Sequence, residues 1–393
     1  MVSILVVSER YWPDGSGGEL ATHLIIDILR KEKALEITVI TGSRNPMRLP
    51  GVRYIYEPLL SVESKSLLWL NEDRLIRKDK FRKILQESDI VYVPGFMFPI
   101  IPYAKSMGKR VIVHLHGYAP ASYTAVILAP YEEHRHKIVY DDIRLECMRD
   151  AKHCIGVSLL WWLPMLIKKW VSQADKIICV SKRQTDIITD LAPELAGKVE
   201  VVYNPLPPEL INASINKEID DVPTFLYVGG ESFIKGFHVL LKALPSLVRL
   251  GARVRLFGNY RDFQVRNRYV ELVGKVPHGV VMRAHEDAWG LLFPSINEEP
   301  LPYAVVEAAL VGTVPIAARV GGVPEILSGT GAERFMFRAG DAEDLVGRVE
   351  ELIGLGVKGV MEVGEEVKGV VRRRLEESAS RLPEVFMEVL SSD

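Results

Sequence analysis

The stretch that decides the fold is residues 291–326, with the sequence LLFPSINEEPLPYAVVEAALVGTVPIAARVGGVPEI. The apolar runs at 290–293 and 314–317 have the length of buried strands, and the segment 303–311 between them has the length of a helix. A strand, a helix and a second strand in close succession are typical of the βαβ unit of a parallel sheet. This part of the sequence therefore predicts an α/β fold.

The same alternation extends outward over the whole chain. In the first half it predicts strands at residues 3–7, 36–40, 52–56, 90–93, 110–115, 176–180 and 199–202. In the second half it predicts strands at residues 224–228, 253–257, 269–273, 290–293 and 314–317. Helices are predicted at residues 19–30, 182–191, 235–250, 303–311, 341–352 and, with a kink near Pro383, 372–390.

The proline-rich stretch 204–223 separates the two halves, and we interpret it as an inter-domain linker. We therefore expect two Rossmann-like domains, residues 1–203 and residues 204–371. Open α/β sheets bind ligands at the carboxyl ends of their strands, so we expect a cleft between the two domains there.

The composition excludes several classes of protein. Of 393 residues, 48% are hydrophobic and 25% are charged, which is typical of a globular chain. Lys and Arg number 49 against 51 Asp and Glu, so there is no basic excess and no nucleic-acid partner is expected. Three cysteines are too few and too odd in number for a disulfide framework, which indicates a reducing compartment. The absence of a signal-peptide pattern and of a long apolar run favours a cytoplasmic protein.

Candidate binding residues in the first half follow predicted strands. Gly17 and Gly18 lie between a strand and a helix, where glycines let backbone N–H groups approach a phosphate; a tight turn without a ligand is the alternative. We expect His114 and His116, which alternate on a strand, to point to opposite faces, with His116 facing the cleft or packed as a structural histidine. The acidic and histidine residues at 132–136 match no familiar metal-ligand spacing, so no metal is expected.

The second half carries a lysine and two glutamates in the expected cleft. Lys235 follows the glycines Gly229 and Gly230 at a helix start, where a cation opposes the helix dipole; this suggests that it holds an anion, and a solvated surface lysine is the alternative. Glu299 precedes the next helix and Glu307 lies within it. A carboxylate at the latter position suits a pair of sugar hydroxyls, which donate hydrogen bonds to it.

These segments together resemble the retaining GT-B glycosyltransferases of family 4, in the same order and over nearly the whole chain. The matching motifs are GSGGE near residue 15, HLHG at 114–117, ICVSK at 178–182, VVYNP at 201–205, VGGESFIKG at 228–236 and the block at 294–325. The resemblance implies a GT-B fold whose second domain holds a nucleotide-diphosphate sugar, UDP- or GDP-linked, as donor. It also implies that the final helix returns to the N-terminal domain.

The resemblance also assigns roles to individual residues. Lys235 is expected at the diphosphate, Glu299 by the donor sugar and Glu307 at the ribose hydroxyls. The backbone around Leu301 and Pro302 is expected at the sugar and phosphates, and that of Val276 at the base. In the other domain, the turn at Gly17 and Gly18 closes on the phosphates and His116 reaches the transferred sugar.

One position departs from the family pattern. The family usually has an arginine directly after the first glycine of this loop, and here that residue is Gly230. An arginine would contact the diphosphate bidentately, so binding would depend on Lys235, helix N-termini and another cation such as Arg261.

The reaction implied is transfer of a hexose with retention of configuration, by front-face displacement without a metal or other cofactor. Glu299 is then an orienting residue, because the leaving phosphate takes the proton of the acceptor. The alternatives are a nucleotide-sugar 2-epimerase on the same fold and a nucleotide-sugar-binding partner with weak catalysis.

The acceptor is left open by the sequence. The basic segment 67–85 and the Trp-rich segment 158–170 suit contact with an anionic membrane and a lipid-linked acceptor. A solvated helix face and a buried core helix are the alternatives, and a soluble sugar would then be an equal candidate. We expect a cytoplasmic monomer, peripheral at the inner face of the membrane if these segments bind lipid.

Overall fold

A computed structural model describes residues 1–62, 65–207, 217–261 and 263–391. The chain divides into two compact units. Unit 1 consists of Met1–Val126, Lys137–Pro205 and Glu376–Asp393, and unit 2 consists of Ile127–His136 and Leu206–Leu375. The short segment Ile127–His136 thus lies in the first half of the sequence but in the second unit.

Unit 1 is built around a parallel sheet of seven strands in the order β3-β2-β1-β4-β5-β6-β7. The strands are β1 Val2–Ser8, β2 Leu35–Thr41, β3 Arg53–Tyr56, β4 Ile90–Val93, β5 Arg110–Leu115, β6 Lys176–Cys179 and β7 Val199–Val201. The central strands are almost continuously apolar because helices cover both faces of the sheet.

The helices of unit 1 follow these strands in turn. They are α1 Gly17–Leu29, α2 Lys65–Ile76, α3 Asp79–Glu87, α4 Ile100–Ser106, α6 Ile138–Arg149, α7 Ala151–Leu160, α8 Leu163–Val171 and α9 Lys182–Leu191. The short helix α5, Tyr131–His134, belongs to unit 2.

The last helix of the chain, α16 Leu382–Ser391, completes the core of unit 1. Leu382, Val385 and Phe386 are fully buried in the cluster that also contains strand residues of β1 and β4. The ring of Phe386 meets that of Tyr92 edge to face, with centroids 5.1 Å apart. Residues distant in sequence thus fill the same apolar layer.

Unit 2 contains a parallel sheet of five strands in the order β10-β9-β8-β11-β12. The strands are β8 Thr224–Val228, β9 Arg253–Phe257, β10 Val270–Gly274, β11 Gly290–Phe293 and β12 Val314–Ala317. The helices are α10 Phe237–Arg249, α11 His278–Ala284, α12 Tyr303–Leu310, α13 Val323–Leu327, α14 Ala342–Gly354 and α15 Gly356–Ala379.

The predicted α/β class and all twelve predicted strands are confirmed, with boundaries that differ by at most one residue.

The final helix was predicted to begin at residue 372, and this is wrong, because α15 already begins at Gly356. Residues 355–371 are rich in glycine and valine, which are weak helix formers. Val360, Val367 and Val371 are nevertheless buried along one side of this helix, so tertiary packing outweighs the weak helix propensity. The break near Pro383 is present, between α15 and α16. Of the proposed linker, residues 208–216 lie outside the described residues.

Two of the three cysteines are paired. Cys147 at the end of α6 and Cys154 in α7 form a disulfide, while Cys179 is buried and free. The pairing joins two neighbouring helices and is a single local link rather than a framework.

The Trp-rich segment forms α7 and α8, which are bent by 59° relative to each other. No single helix in the described part of the chain has the length and apolar character of a membrane span, although these two helices together meet that test.

Candidate active site

Each sheet has one point at which the strand order reverses, and several of the predicted site residues lie in loops next to these points. The reversal lies between β1 and β4 in unit 1 and between β8 and β11 in unit 2. Loops that leave such neighbouring strands in opposite directions open a crevice at their carboxyl ends, which is where ligands bind in open α/β sheets.

In unit 1 the loops after β1, β4 and β5 line a pocket of about 210 Å³. Gly18 and His116 both line it, and an ideal Cβ atom on Gly18 would lie 3.4 Å from the His116 ring. Gly17 is the first residue of α1, and the preceding Ser16 donates its backbone N–H to the Glu19 carboxylate at 2.6 Å. The structure therefore brings the predicted glycine turn and the predicted histidine together.

The expectation that His114 and His116 point to opposite faces is wrong. Their ring centroids are 4.3 Å apart, because residues two apart along an extended strand share a face. Burial lowers the pKa of His116 to about 4 and that of His114 well below its usual value. Both imidazoles are therefore neutral at pH 7 and can accept as well as donate a hydrogen bond.

In unit 2 the switch point is bridged by an ion pair between two predicted site residues. Lys235 lies in the loop after β8 and Glu299 in the loop after β11, and Lys235 Nζ is 2.7 Å from Glu299 Oε1. The carboxylate of Glu299 is nearly buried, whereas the lysine side chain is about a third exposed, with 36% of its area accessible. A buried carboxylate is thus neutralised by a cation that solvent or a ligand can reach.

Glycines allow these loops to approach closely. Gly321 has φ +48°, and an ideal Cβ on it would collide with the backbone carbonyl oxygen of Glu299. That carbonyl accepts the N–H of Gly322 at 2.9 Å. Only glycine fits at position 321 without moving the backbone of Glu299.

The loop before Glu299 is held by contacts that the sequence did not indicate. Glu298 is buried and accepts the backbone N–H of Tyr131 at 2.8 Å and that of Gly321 at 2.6 Å. The backbone N–H of Ala129 donates to the carbonyl of Ile296 at 2.8 Å. The segment Ile127–His136 therefore supports the glutamate loop, although it lies far away in the sequence.

Glu307 does not join this pair but has a partner of its own. Its Oε1 lies 2.9 Å from Nε2 of His278, the first residue of α11. His278 was not among the predicted site residues, although it is two residues after Val276, which was predicted to contact the base. Leu301 is buried and Pro302 precedes the first turn of α12, next in the chain to the Glu299 loop.

The loop after β8 explains why residue 230 is a glycine. Gly230 has φ +60°, and a Cβ there would lie 2.7 Å from the backbone oxygen of Asn259. Gly229 and Gly230 both donate their N–H groups to the carbonyl of Phe257. An arginine at position 230 would be strained and would collide with this loop. The backbone N–H of Arg261 donates to Glu231 at 2.7 Å, so the loop with the alternative cation packs against the glycine turn.

No group of three or more His, Cys, Asp or Glu side chains suited to a metal ion occurs in the described ranges of the chain. The residues at 132–136 form part of the segment that supports the Glu299 loop.

Comparison with known proteins finds a family match over the part of the chain that contains most of these features. Residues 222–354 match the family described as "Glycosyl transferases group 1", and this segment contains Lys235, Glu299 and Glu307. This part of the chain is therefore similar to a glycosyl transferases group 1 domain.

One relative matches the chain over a longer stretch than this segment, at low sequence identity. The chain is 23% identical to a subunit of the phosphatidylinositol N-acetylglucosaminyltransferase of Arabidopsis thaliana over 90% of its own length and 74% of that protein. Two other relatives are matched over smaller shares of their length. These are the gpi3 subunit of the phosphatidylinositol N-acetylglucosaminyltransferase of Schizosaccharomyces pombe, over 38%, and an uncharacterized glycosyltransferase of Methanocaldococcus jannaschii, over 44%.

Solved structures share the fold of the whole chain. Sucrose-phosphate synthase from Thermosynechococcus elongatus superimposes with a TM-score of 0.75 at 14% identity, and HepE from Anabaena in complex with UDP-glucose with a TM-score of 0.67 at 15% identity. Both superpositions cover 100% of each chain. The predicted GT-B fold, with two Rossmann-like units, is therefore confirmed.

Proposed function

We propose that this protein is a retaining glycosyltransferase that transfers a hexose from a nucleotide-diphosphate sugar, UDP- or GDP-linked, to a hydroxyl group. The observation that carries the proposal is the Lys235–Glu299 pair at the strand-order switch of a glycosyl transferases group 1 domain. The complex of HepE with UDP-glucose, which has the same fold, supports this class of donor.

In this proposal Lys235 exchanges partners when the donor binds. Its ammonium group gives up all or part of its ion pair with Glu299 and contacts the diphosphate. The diphosphate carries more negative charge than the Glu299 carboxylate and is the leaving group. Negative charge that develops on the leaving diphosphate is stabilised by this cation and by backbone N–H groups, so no metal ion is required. Glu299, released from the full ion pair, accepts hydrogen bonds from hydroxyls of the transferred sugar.

The nucleoside is held by Glu307. Its carboxylate accepts hydrogen bonds from the two ribose hydroxyls, and His278 fixes its orientation at 2.9 Å. The backbone near Val276 contacts the base, and the backbone around Leu301 and Pro302 contacts the sugar and phosphates.

Unit 1 supplies the remaining groups. Neutral His116 forms a hydrogen bond with the transferred sugar, and the turn at Gly17 and Gly18 approaches the phosphates. In front-face displacement the bond from the anomeric carbon to the leaving phosphate breaks as the acceptor oxygen bonds to the same face. The acceptor proton then passes to a phosphate oxygen, so configuration is retained and no enzyme nucleophile is needed.

Thermal-shift titration with UDP, GDP and ADP tests the donor site. A ligand at about 100 times its dissociation constant stabilises the fold by roughly 2.7 kcal/mol. We expect one of the uridine or guanosine diphosphates to raise the Tm and Lys235→Ala to abolish the increase. The matched control is Lys242→Ala, an exposed lysine of α10, which should leave it unchanged. If no nucleotide raises the Tm of the wild type, the proposal is refuted.

We further propose that the acceptor is lipid-linked and reached at an anionic membrane surface, from the cytoplasmic side. Large apolar side chains are exposed on α7, α8 and their connection: Ile155, Leu159, Trp161, Trp162 and Met165, with exposures of 62%, 69%, 47%, 42% and 64%. Lys152, Lys168 and Lys169 on the same helices suit anionic headgroups. The Arabidopsis relative, whose name specifies a phosphatidylinositol acceptor, supports this class of acceptor.

Liposome co-sedimentation tests the membrane proposal. We expect salt-sensitive binding to vesicles that contain phosphatidylinositol, and loss of binding in Leu159→Glu. Met387→Glu, a partly exposed residue of α16, is the matched control. Equal sedimentation with neutral and anionic vesicles, or none with either, would contradict the proposal.

A further inference from the structure

The loop that carries Glu299 contains a buried hydroxyl group to which the proposed function gives no role. Ser295 lies two residues after the end of β11 and is 0% exposed. Its Oγ lies 3.0 Å from the carbonyl oxygen of Ile234, the residue before Lys235, and 3.2 Å from Oε1 of Glu299. That same Oε1 lies 2.7 Å from Lys235 Nζ. Ser295 therefore joins the two loops that supply the ion pair.

Backbone contacts between these two loops fix the position of Ser295. Gly236 has φ +74°, and an ideal Cβ on it would collide with the carbonyl oxygen of Pro294. The backbone N–H of Ile296 donates to the carbonyl of Ile234 at 3.0 Å. The residues on both sides of Ser295 are thus packed against the loop after β8. The buried hydroxyl oxygen is held in place, while its proton is free to rotate.

The hydroxyl proton has two acceptors within reach. A serine hydroxyl carries one proton, so Ser295 donates either to the carbonyl of Ile234 or to Glu299 at any one time. If the proton turns to Glu299, the carbonyl of Ile234 still accepts the N–H of Ile296. The Ser295 oxygen also keeps the backbone N–H of Asn297, which donates to it at 3.3 Å. The proton can therefore change acceptor without leaving a buried polar group unpaired.

A change of acceptor becomes favourable when Glu299 loses its cation. Glu299 is only 8% exposed, and in the described part of the chain its carboxylate has two partners, the Lys235 ammonium group and the Ser295 hydroxyl. The proposed function moves the ammonium group to the diphosphate, which leaves the hydroxyl. A buried carboxylate that loses its cation costs free energy unless another donor takes its place.

We infer that Ser295 is a positioning residue, whose hydroxyl proton turns from the carbonyl of Ile234 to Oε1 of Glu299 when Lys235 moves to the diphosphate. The inference rests on the proposed function, which requires this movement of Lys235. The step is a rotation about the Cβ–Oγ bond, and no covalent bond breaks. Ser295 contacts no part of the donor. It keeps the carboxylate of Glu299 charged and directed while the lysine is engaged elsewhere.

A double-mutant cycle without any ligand tests the contact itself. Lys235→Met removes the ammonium group, keeps the apolar stem and so imitates the departure of the lysine. With Lys235 present, Ser295→Ala should raise the unfolding equilibrium constant about fivefold, the usual net effect of one neutral hydrogen bond. A hydrogen bond to a charged group is about twice as strong, so in Lys235→Met the same substitution should raise it about 25-fold. The measurement is equilibrium urea unfolding of the full chain.

Nucleotide binding tests the role of Ser295 in the donor complex. The probe is UDP or GDP, whichever raises the Tm of the wild type, and its affinity is measured by calorimetry. Ser295→Ala should weaken binding about fivefold, because it removes a charged hydrogen bond from the complex and a neutral one from the free protein. In Glu299→Gln the same substitution should leave the affinity unchanged, because no charge remains to be compensated.

Two further variants separate this contact from general damage. Thr330→Val removes another buried hydroxyl of unit 2, which donates to the carbonyl of Leu327 at 2.7 Å. It should destabilise the wild type and Lys235→Met by the same factor and leave nucleotide affinity unchanged. Ser295→Cys fills the same space with a weaker donor. It should change stability and affinity in the same directions as Ser295→Ala, and it replaces that variant if Ser295→Ala does not fold.

Two results would overturn the inference. One is an equal effect of the Ser295 substitution on unfolding with and without Lys235, and the other is unchanged nucleotide affinity in the Ser295 variant. Either of them, together with a normal nucleotide-induced rise in the Tm of the wild type, refutes the role of Ser295 alone. The absence of any such rise in the wild type refutes the proposed function instead.

Discussion

Replacing Gly321 by alanine is a direct test of how the Glu299 loop is positioned. The residue has φ +48°, and a non-glycine residue in the left-handed region costs about 1–2 kcal/mol. In addition, the new methyl group would collide with the backbone carbonyl of Glu299, so that backbone has to move. A displacement of about 1 Å at a reacting group can lower the rate about 100-fold. We therefore expect Gly321→Ala to lose both stability and about 100-fold in turnover.

Gly329→Ala is the matched control for the backbone strain. Gly329 has φ +76°, but nothing lies within 4 Å of an ideal Cβ on it. It should lose the same 1–2 kcal/mol, or roughly 2–8 °C in Tm for a domain of this size, and keep its activity. The assays are thermal unfolding and release of nucleoside diphosphate from the donor that the wild type accepts. If both variants lose stability equally and both keep wild-type turnover, the proposed fixing of Glu299 by Gly321 is refuted.

Three further predictions concern the core, the ribose site and the histidines. Phe386→Ala should destabilise the protein by about 3–5 kcal/mol, because Phe386 is fully buried, whereas Met387→Ala should change the Tm little in the same unfolding scan. His278→Ala should raise the KM for the nucleotide sugar several-fold with little change in kcat, because it removes the orienting partner of Glu307; a fall in kcat alone in steady-state kinetics would argue against a ribose role. Because the pKa of His116 falls from about 6.5 in the unfolded chain to about 4 in the fold, the unfolded state binds more protons between these values, and stability should decrease as pH falls from 6.5. Tm measured from pH 7.5 to 5 should show a shallower decrease in His116→Phe than in the wild type.

Local patterns were sufficient to predict the sheets. A buried parallel strand is a short apolar run, and runs such as Ile90–Val93 and Gly290–Phe293 are bounded by residues that rarely occur within strands. Lys235 and Glu299 could be predicted as partners in one site because both follow strands that turn out to be neighbours, although their 2.7 Å ion pair could not. The resemblance located them, and the topology explains why they meet.

The features that sequence reasoning missed depend on contacts between distant segments. Glu298 holds the loop by accepting the backbone N–H groups of Tyr131 and Gly321, which are 167 and 23 residues away in the sequence. The partner of Glu307 is His278, which belongs to a different helix. The helix that begins at Gly356 was missed for a similar reason, because its valines acquire a buried face only from tertiary packing.

The central claim is that the Lys235–Glu299 pair belongs to a nucleotide-sugar transferase site. The most direct test is the rate at which nucleoside diphosphate is released from UDP-, GDP- and ADP-hexoses, measured for the wild type and for Glu299→Ala at matched Tm. The account predicts that the wild type cleaves a UDP- or GDP-hexose, and that Glu299→Ala still binds the nucleotide but loses nearly all release. Cleavage of none of these donors, or an undiminished rate in a folded Glu299→Ala, would contradict it.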